Sequence, residues 1–173
     1  AERRAAATED LIHDIHSSDR IERLTGNPML LTTMALIKRK VGKLPQRRVE
    51  LYEKAVEVLL NWRSAVDEAL DKREALPQLE FLAYEMCRRG VQQLREDEVL
   101  ELLRQVRQEY PQIHPLAHHT PEEFLALLER RTGMVIQSGH ERHNGQSHPV
   151  YEFRHLTFQE YLAGIALVQG HFP

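Results

Sequence analysis

Apolar residues recur along this chain at helical spacing as far as about residue 132, and at strand spacing in places after it. Leu11, Ile12 and Ile15 mark a short first helix, and Ile21 and Leu24 another turn or two. Asn27 is a good N-cap and Pro28 suits the first helical position that follows. Met29 to Ile37 is apolar on most faces, which predicts a deeply buried helix. Lys38, Arg39 and Lys40 suit its C-terminal dipole, and Gly42 can end it. After Pro45, the residues Val49, Tyr52, Val56, Leu59 and Leu60 repeat at helical spacing, and Trp62 follows. The charged stretch "SAVDEALDKREA" is weakly periodic and places a junction near residue 72.

Beyond the junction, Leu79, Leu82, Ala83 and Met86 form a stripe after Pro77, closed by Gly90. Val99, Leu102, Leu103 and Val106 form the next, stopped by Pro111. Thr120 and Glu123 make a capping box ahead of Phe124, Leu127 and Leu128. "MVIQS" and "VYEFRH" read as two strands joined by the turn-rich "GHERHNGQSHP". In the second strand Tyr151, Phe153 and His155 alternate with Glu152 and Arg154, which puts His155 on the inward face. Thr157 then opens T-x-x-E with Glu160, and Phe158, Tyr161, Leu162 and Ile165 follow helical spacing. Three helices followed by a hairpin is the order of a winged helix. The expected fold is therefore mainly α: a helical-bundle subdomain over residues 1–72, then a winged-helix domain with one small β-hairpin over residues 73–173.

Composition changes this picture little. A net charge of −3 gives no support for a broad nucleic-acid or anionic-membrane footprint. One cysteine, Cys87, excludes an internal disulfide and favours a reducing, cytoplasmic setting; its place on or beside a predicted buried stripe makes it a small apolar residue. No apolar run approaches the roughly 20 residues of a membrane span, so no membrane partner is expected. The polar start at Ala1 shows no signal peptide and is read as the edge of a fragment of a larger protein.

Ten histidines raise the question of a metal. His114, His118 and His119 share one loop, and His140, His143 and His148 another, but no H-E-x-x-H or Cys–His spacing accompanies them. They read as solvated loop histidines, with no metal site. No nucleophile motif is present. Gly42-Lys43 looks like the end of a phosphate loop, yet Ile37 stands where the first glycine belongs and Leu44 where a Ser or Thr would hold magnesium. The chain alone therefore has no Walker A motif and no catalytic residue. The winged-helix order suggests DNA binding, but "PEEFLALLERR" carries Glu122 and Glu123 at the end of the helix that would meet the duplex. Those carboxylates argue against DNA.

"LTGNPMLLTTMALIKRKVGKLPQRRVELYEKAVEVLLNWR" and "FRHLTFQEYLAG", taken together, resemble the C-terminal half of a NACHT module, within the STAND class of signal-transducing ATPases. The resemblance implies a helical domain over residues 1 to about 72 and a winged helix after it. It implies that Gly26-Asn27-Pro28 presents Pro28 to the adenine base. It also implies that His155 bonds the β-phosphate of ADP and holds a closed resting state, with Thr157 in support. A histidine facing inward just ahead of a helix N-terminus agrees with an anion contact. The phosphate loop, Walker B and magnesium ligands would lie upstream, so magnesium is expected only in the full-length parent. The implied role is the lid of an ADP/ATP switch in signalling or immune defence, contacting the upstream nucleotide-binding domain of the same protein and forming homo-oligomers when activated. The rival expectation is an all-α, winged-helix adaptor that binds protein, or less favourably DNA, with no nucleotide.

Overall fold

The computed structural model describes residues 2–61, 70–110 and 118–170. Trp62, Pro111 and His114 lie outside the described residues. The chain divides into two compact units, residues 1–59 and 60–173. The expected junction near residue 72 falls at the start of the first long helix of the second unit.

In the first unit α1 (Glu2–His16) leads into the short α2 (Asp19–Glu22) and a single 3-10 turn (Arg23–Gly26). Then come α3 (Pro28–Val41) and α4 (Arg48–Leu60). Ile15, Ile21, Leu30, Met34, Ile37, Leu44, Leu51 and Tyr52 are buried. The expectation that α3 is buried on most faces is corrected. It buries the stripe Leu30, Thr33, Met34 and Ile37, spaced i, i+3, i+4 and i+7, while Pro28, Leu31, Thr32 and Ala35 are exposed. Val49, expected in the α4 stripe, is also exposed. The Asp14 carboxylate ties α1 to the α3–α4 loop by accepting from Lys38 Nζ at 2.7 Å and from the Leu44 backbone N–H at 3.3 Å. The Lys38 hydrogen bond holds the Asp14 carboxyl below its usual range, outweighing its partial desolvation.

The second unit follows the winged-helix order. It contains α5 (Lys72–Arg89), β1 (Gln93–Arg95), α6 (Glu96–Glu109), α7 (Pro121–Leu127), β2 (Val135–His143), β3 (Gln146–Phe153) and α8 (Leu156–Gln169). The helix α7 runs on as one π-helical turn to Thr132. The sheet is antiparallel in the order β1-β3-β2. The hairpin thus gains a third strand, which three residues with only Leu94 buried could not announce. The α8 helix packs along α5. Leu79, Leu82, Met86, Val99, Leu103, Phe124, Phe158 and Leu162 fill the core.

Three local expectations change. The α5 helix starts at Lys72, capped by Asp71, whose Oδ1 accepts from Arg73 N–H at 2.8 Å; Pro77 lies inside it. A proline there removes a hydrogen bond to the carbonyl of Arg73, an exposed residue near the helix end. The supposed loop between the strands is mostly strand. Only Asn144 and Gly145 turn the chain, both at positive φ (51° and 79°), as a tight hairpin turn requires. Cys87 is exposed rather than buried.

Candidate functional site

The expected site residues fall into two groups, one in each unit. In the first unit, Asn27 leaves the 3-10 turn in an extended conformation (φ −95°, ψ 110°) and caps α3. Its Oδ1 accepts from the N–H groups of Met29 at 3.0 Å and Leu30 at 3.3 Å. Pro28 occupies the first helical position, where a missing N–H costs nothing. Its ring is exposed, and Gly26 beside it is exposed as well. A Cβ built on Gly26 meets nothing within 4 Å, so no contact within the chain requires glycine there. What this corner presents is a rigid, apolar proline ring two residues after a glycine.

In the second unit, β3 ends at Phe153 and the chain bends through Arg154 and His155 into α8. The backbone N–H of Arg154 donates to the Met134 carbonyl at 2.7 Å, which fixes the bend. Two expectations are corrected here. His155 does not belong to the strand; it is the N-cap of α8 (φ −131°, ψ 125°). Thr157 is consequently the second residue of the helix, and no Thr157–Glu160 capping box forms. The helix begins at Leu156, one residue before the T-x-x-E signal, with Phe158 and Leu162 on its buried face.

The helix end is chemically open. His155 makes no side-chain cap hydrogen bond. The Thr157 hydroxyl is buried without a hydrogen-bond partner. The first N–H groups of a helix lack intrahelical acceptors, and they lie at the positive end of its dipole. His155 is half-buried, and desolvation together with the nearby Arg154 charge pulls its pKa below the usual histidine value. At neutral pH the ring is therefore a neutral imidazole with one N–H to donate. A cavity of about 130 Å³, lined by Gln92, Glu152, Phe153, Arg154, Leu156 and Gln159, opens beside the same helix end. Gln159 holds α8 in place: its Nε2 donates to the Val91 carbonyl at 3.2 Å.

The loop histidines divide. His140, His143 and His148 lie on β2 and β3, and His118 is exposed. His119 is not solvated as expected. Its Nδ1 lies 3.0 and 3.1 Å from the two carboxylate oxygens of Glu74, which is fully buried, and its backbone N–H donates to Glu74 Oε1 at 3.1 Å. Arg107 Nη1 donates to the His119 carbonyl at 2.7 Å and its Nε to Gln78 Oε1 at 2.8 Å. This network joins α5, α6 and the approach to α7. No sequence motif announces it, because its members come together only when the three elements pack. Among the described residues no group of three or more His, Cys, Asp or Glu side chains could hold a metal ion. No described helix is long and apolar enough to cross a membrane.

The DNA-facing position of the winged helix is acidic. Thr120 and Glu123 form the expected capping box on α7, and Glu122 accepts from Arg104 Nη2 at 2.7 Å. No curated protein and no solved structure matches the chain. A family model described as the winged helix-turn-helix domain C-terminal to NACHT matches residues 48–167, more than two thirds of the sequence. Its match begins at the start of α4 and takes in the three-stranded sheet and nearly all of α8. Such a domain is not itself catalytic. With the helix–strand–helix–helix–wing order of its second unit, the chain belongs to the family of winged helix-turn-helix domains that stand C-terminal to NACHT.

Proposed function

We propose that this chain is the regulatory lid of a nucleotide-dependent switch whose nucleotide-binding domain lies upstream in the same protein. Pro28 would meet the adenine base, with Gly26 leaving room for it and Asn27 fixing the helix start. His155 would donate its ring N–H to the β-phosphate of ADP. The observation that carries the reading is the open N-terminus of α8: an uncapped helix end, a neutral imidazole at the N-cap and a buried Thr157 hydroxyl with no partner. An anionic oxygen is the ligand such a group of donors suits. The nucleotide supplies the charged phosphates; magnesium would be held by the upstream domain. Exchange of ADP for ATP would change the contact at His155 and favour an open, oligomerising state, because a ligand shifts a two-state equilibrium only through differential contacts. This reading makes the parent an ATPase and places it in signalling or immune defence within the cytoplasm.

The test is His155→Leu in the full-length protein that carries this chain. Leucine keeps apolar bulk at the N-cap and removes the N–H. A hydrogen bond to a charged group contributes about 1.5–3 kcal/mol net, so fluorescent ADP should leave roughly ten to a hundred times faster in stopped flow. Equal off-rates, with only a lowered melting temperature in the variant, would make His155 a packing residue and remove the proposal.

A further inference from the structure

The net charge of −3 conceals a sharp asymmetry. Residues 1–59 carry 11 Lys and Arg against 9 Asp and Glu; residues 60–173 carry 12 against 17. The basic excess is concentrated where α3 turns into α4. Residues 38–49 hold six Lys or Arg and no Asp or Glu. Lys38 is tied to Asp14 at 2.7 Å and Arg47 lies 3.6 Å from Glu50. Arg39, Lys40 and Lys43 are exposed and have no acidic partner among the described residues, and the exposed Arg48 lies over the Tyr52 ring.

This loop is held firmly from beneath. Leu44 is buried, its N–H is bonded to Asp14, and Gly42 makes the turn at φ 87°. The cations are thus displayed on a fixed turn. Two aliphatic side chains on the same segment also stand in water, Val41 after Lys40 at 51% exposure and Val49 after Arg48 at 59%.

Cations alone would suit any polyanion; the valines decide between partners. A nucleic-acid backbone rewards Lys and Arg but gains nothing from exposed valine, and single-strand binders add aromatic stacking platforms. Residues 38–49 contain no aromatic side chain. An anionic bilayer rewards both: each cation near the headgroups attracts the surface, and apolar side chains enter the boundary with the acyl chains. We propose that the α3–α4 turn docks on an anionic lipid bilayer, with Arg39, Lys40, Lys43, Arg47 and Arg48 at the headgroups and Val41 and Val49 below them. The turn lies at the far end of α3 from Pro28, about 20 Å along a 14-residue helix, so this surface is separate from the nucleotide contact.

The test is vesicle co-sedimentation of the 173-residue chain. Vesicles of phosphatidylcholine with about 30% phosphatidylserine are compared with pure phosphatidylcholine at about 0.1 M salt, where surface charge still acts over about 10 Å. Binding to the anionic vesicles alone is expected. Lys40→Glu with Lys43→Glu should lower the partition coefficient by about 25-fold or more, since each neutralised cation accounts for about fivefold. Val41→Ser with Val49→Ser keeps every charge and should still weaken binding severalfold. Circular dichroism checks that these exposed-site variants stay folded. Absence of vesicle binding, or binding indifferent to the lysine pair, would overturn the proposal. So would an equally tight complex with duplex DNA or polyglutamate that the valine pair does not affect.

Discussion

Glu80 makes the stability of this chain depend on pH in a direction opposite to that of most carboxylates. It sits on α5 with 3% of its surface exposed, and one of its carboxylate oxygens is buried without a partner. Desolvation raises its pKa from 4.5 to about 7; Lys72 opposes the rise but does not cancel it. The folded state therefore binds the proton more tightly than the unfolded chain. Below about pH 4.5 both states hold it and Glu80 costs nothing as an ion. As the pH rises from there through 7, the unfolded chain ionises freely while the folded one resists, and stability is lost. A pKa difference of one between the two states corresponds to about 1.36 kcal/mol, so the full loss above pH 7 is about 3 kcal/mol.

The perturbation is Glu80→Gln, which keeps the shape and removes the charge. Its amide also loses hydrogen bonds to water on burial, at about 1 kcal/mol, so the net gain above pH 7.5 should be about 1–2 kcal/mol. Near pH 5 the gain should vanish, because the folded acid is then protonated and the remaining loss has fallen to about the cost of the amide. Urea unfolding of both proteins from pH 5 to 8.5, followed by circular dichroism, reads this as two curves of midpoint against pH that diverge as the pH rises and meet near pH 5. Comparison of the pair cancels the titration of the ten histidines, which both proteins share. Parallel curves with a pH-independent gap would show that Glu80 ionises as readily in the fold as in water, and would refute the reasoning.

Other outcomes follow from the same structure. The isolated chain should hydrolyse no ATP and bind ADP only feebly, because a winged-helix domain of this kind brings no phosphate loop; micromolar ADP binding by calorimetry would contradict that. Glu74→Gln should lower unfolding stability by about 2–4 kcal/mol, since it removes one half of a buried pair with His119 and leaves Arg107 short of its partner charge; a loss under about 0.5 kcal/mol would make the network incidental. Duplex DNA should not be bound at about 0.15 M salt, because Glu122 and Glu123 stand on the first turn of α7; a sub-micromolar gel shift would reverse this.

What the sequence made legible was what short-range chemistry decides. Asn27-Pro28 placed the start of α3, Thr120 and Glu123 the start of α7, and the wing lay on two strands in the expected order. The errors came wherever distant packing chose between local options. Thr157 is the better N-cap by residue type, yet α8 starts ahead of it with His155 as the cap, just after the Arg154 N–H is bonded to the Met134 carbonyl. Asn144-Gly145 carried the signal of a two-residue hairpin turn, yet the polar residues around it masked two long strands that are exposed near the turn and buried only toward their far ends. His119 looked like one of several loop histidines because Glu74, its partner, lies 45 residues away on α5. Burial of α3 was overestimated because composition counts apolar residues without saying how many faces find a neighbour.

The starts of the helices show how one physical requirement can serve either architecture or binding. Every helix leaves its first N–H groups without intrahelical acceptors. Asn27 meets that need for α3, Asp71 for α5 and Thr120 for α7. At these starts the donors are used within the chain, and a ligand would have to displace a side chain to reach them. The α8 helix differs: its N-cap is an imidazole that bonds none of its N–H groups, and the Thr157 hydroxyl just inside it is left over. Such an end costs stability unless something outside the chain supplies the acceptor. Beside α3, α5 and α7, which are capped from the chain's own residues, that cost is the physical reason for proposing a ligand contact at His155.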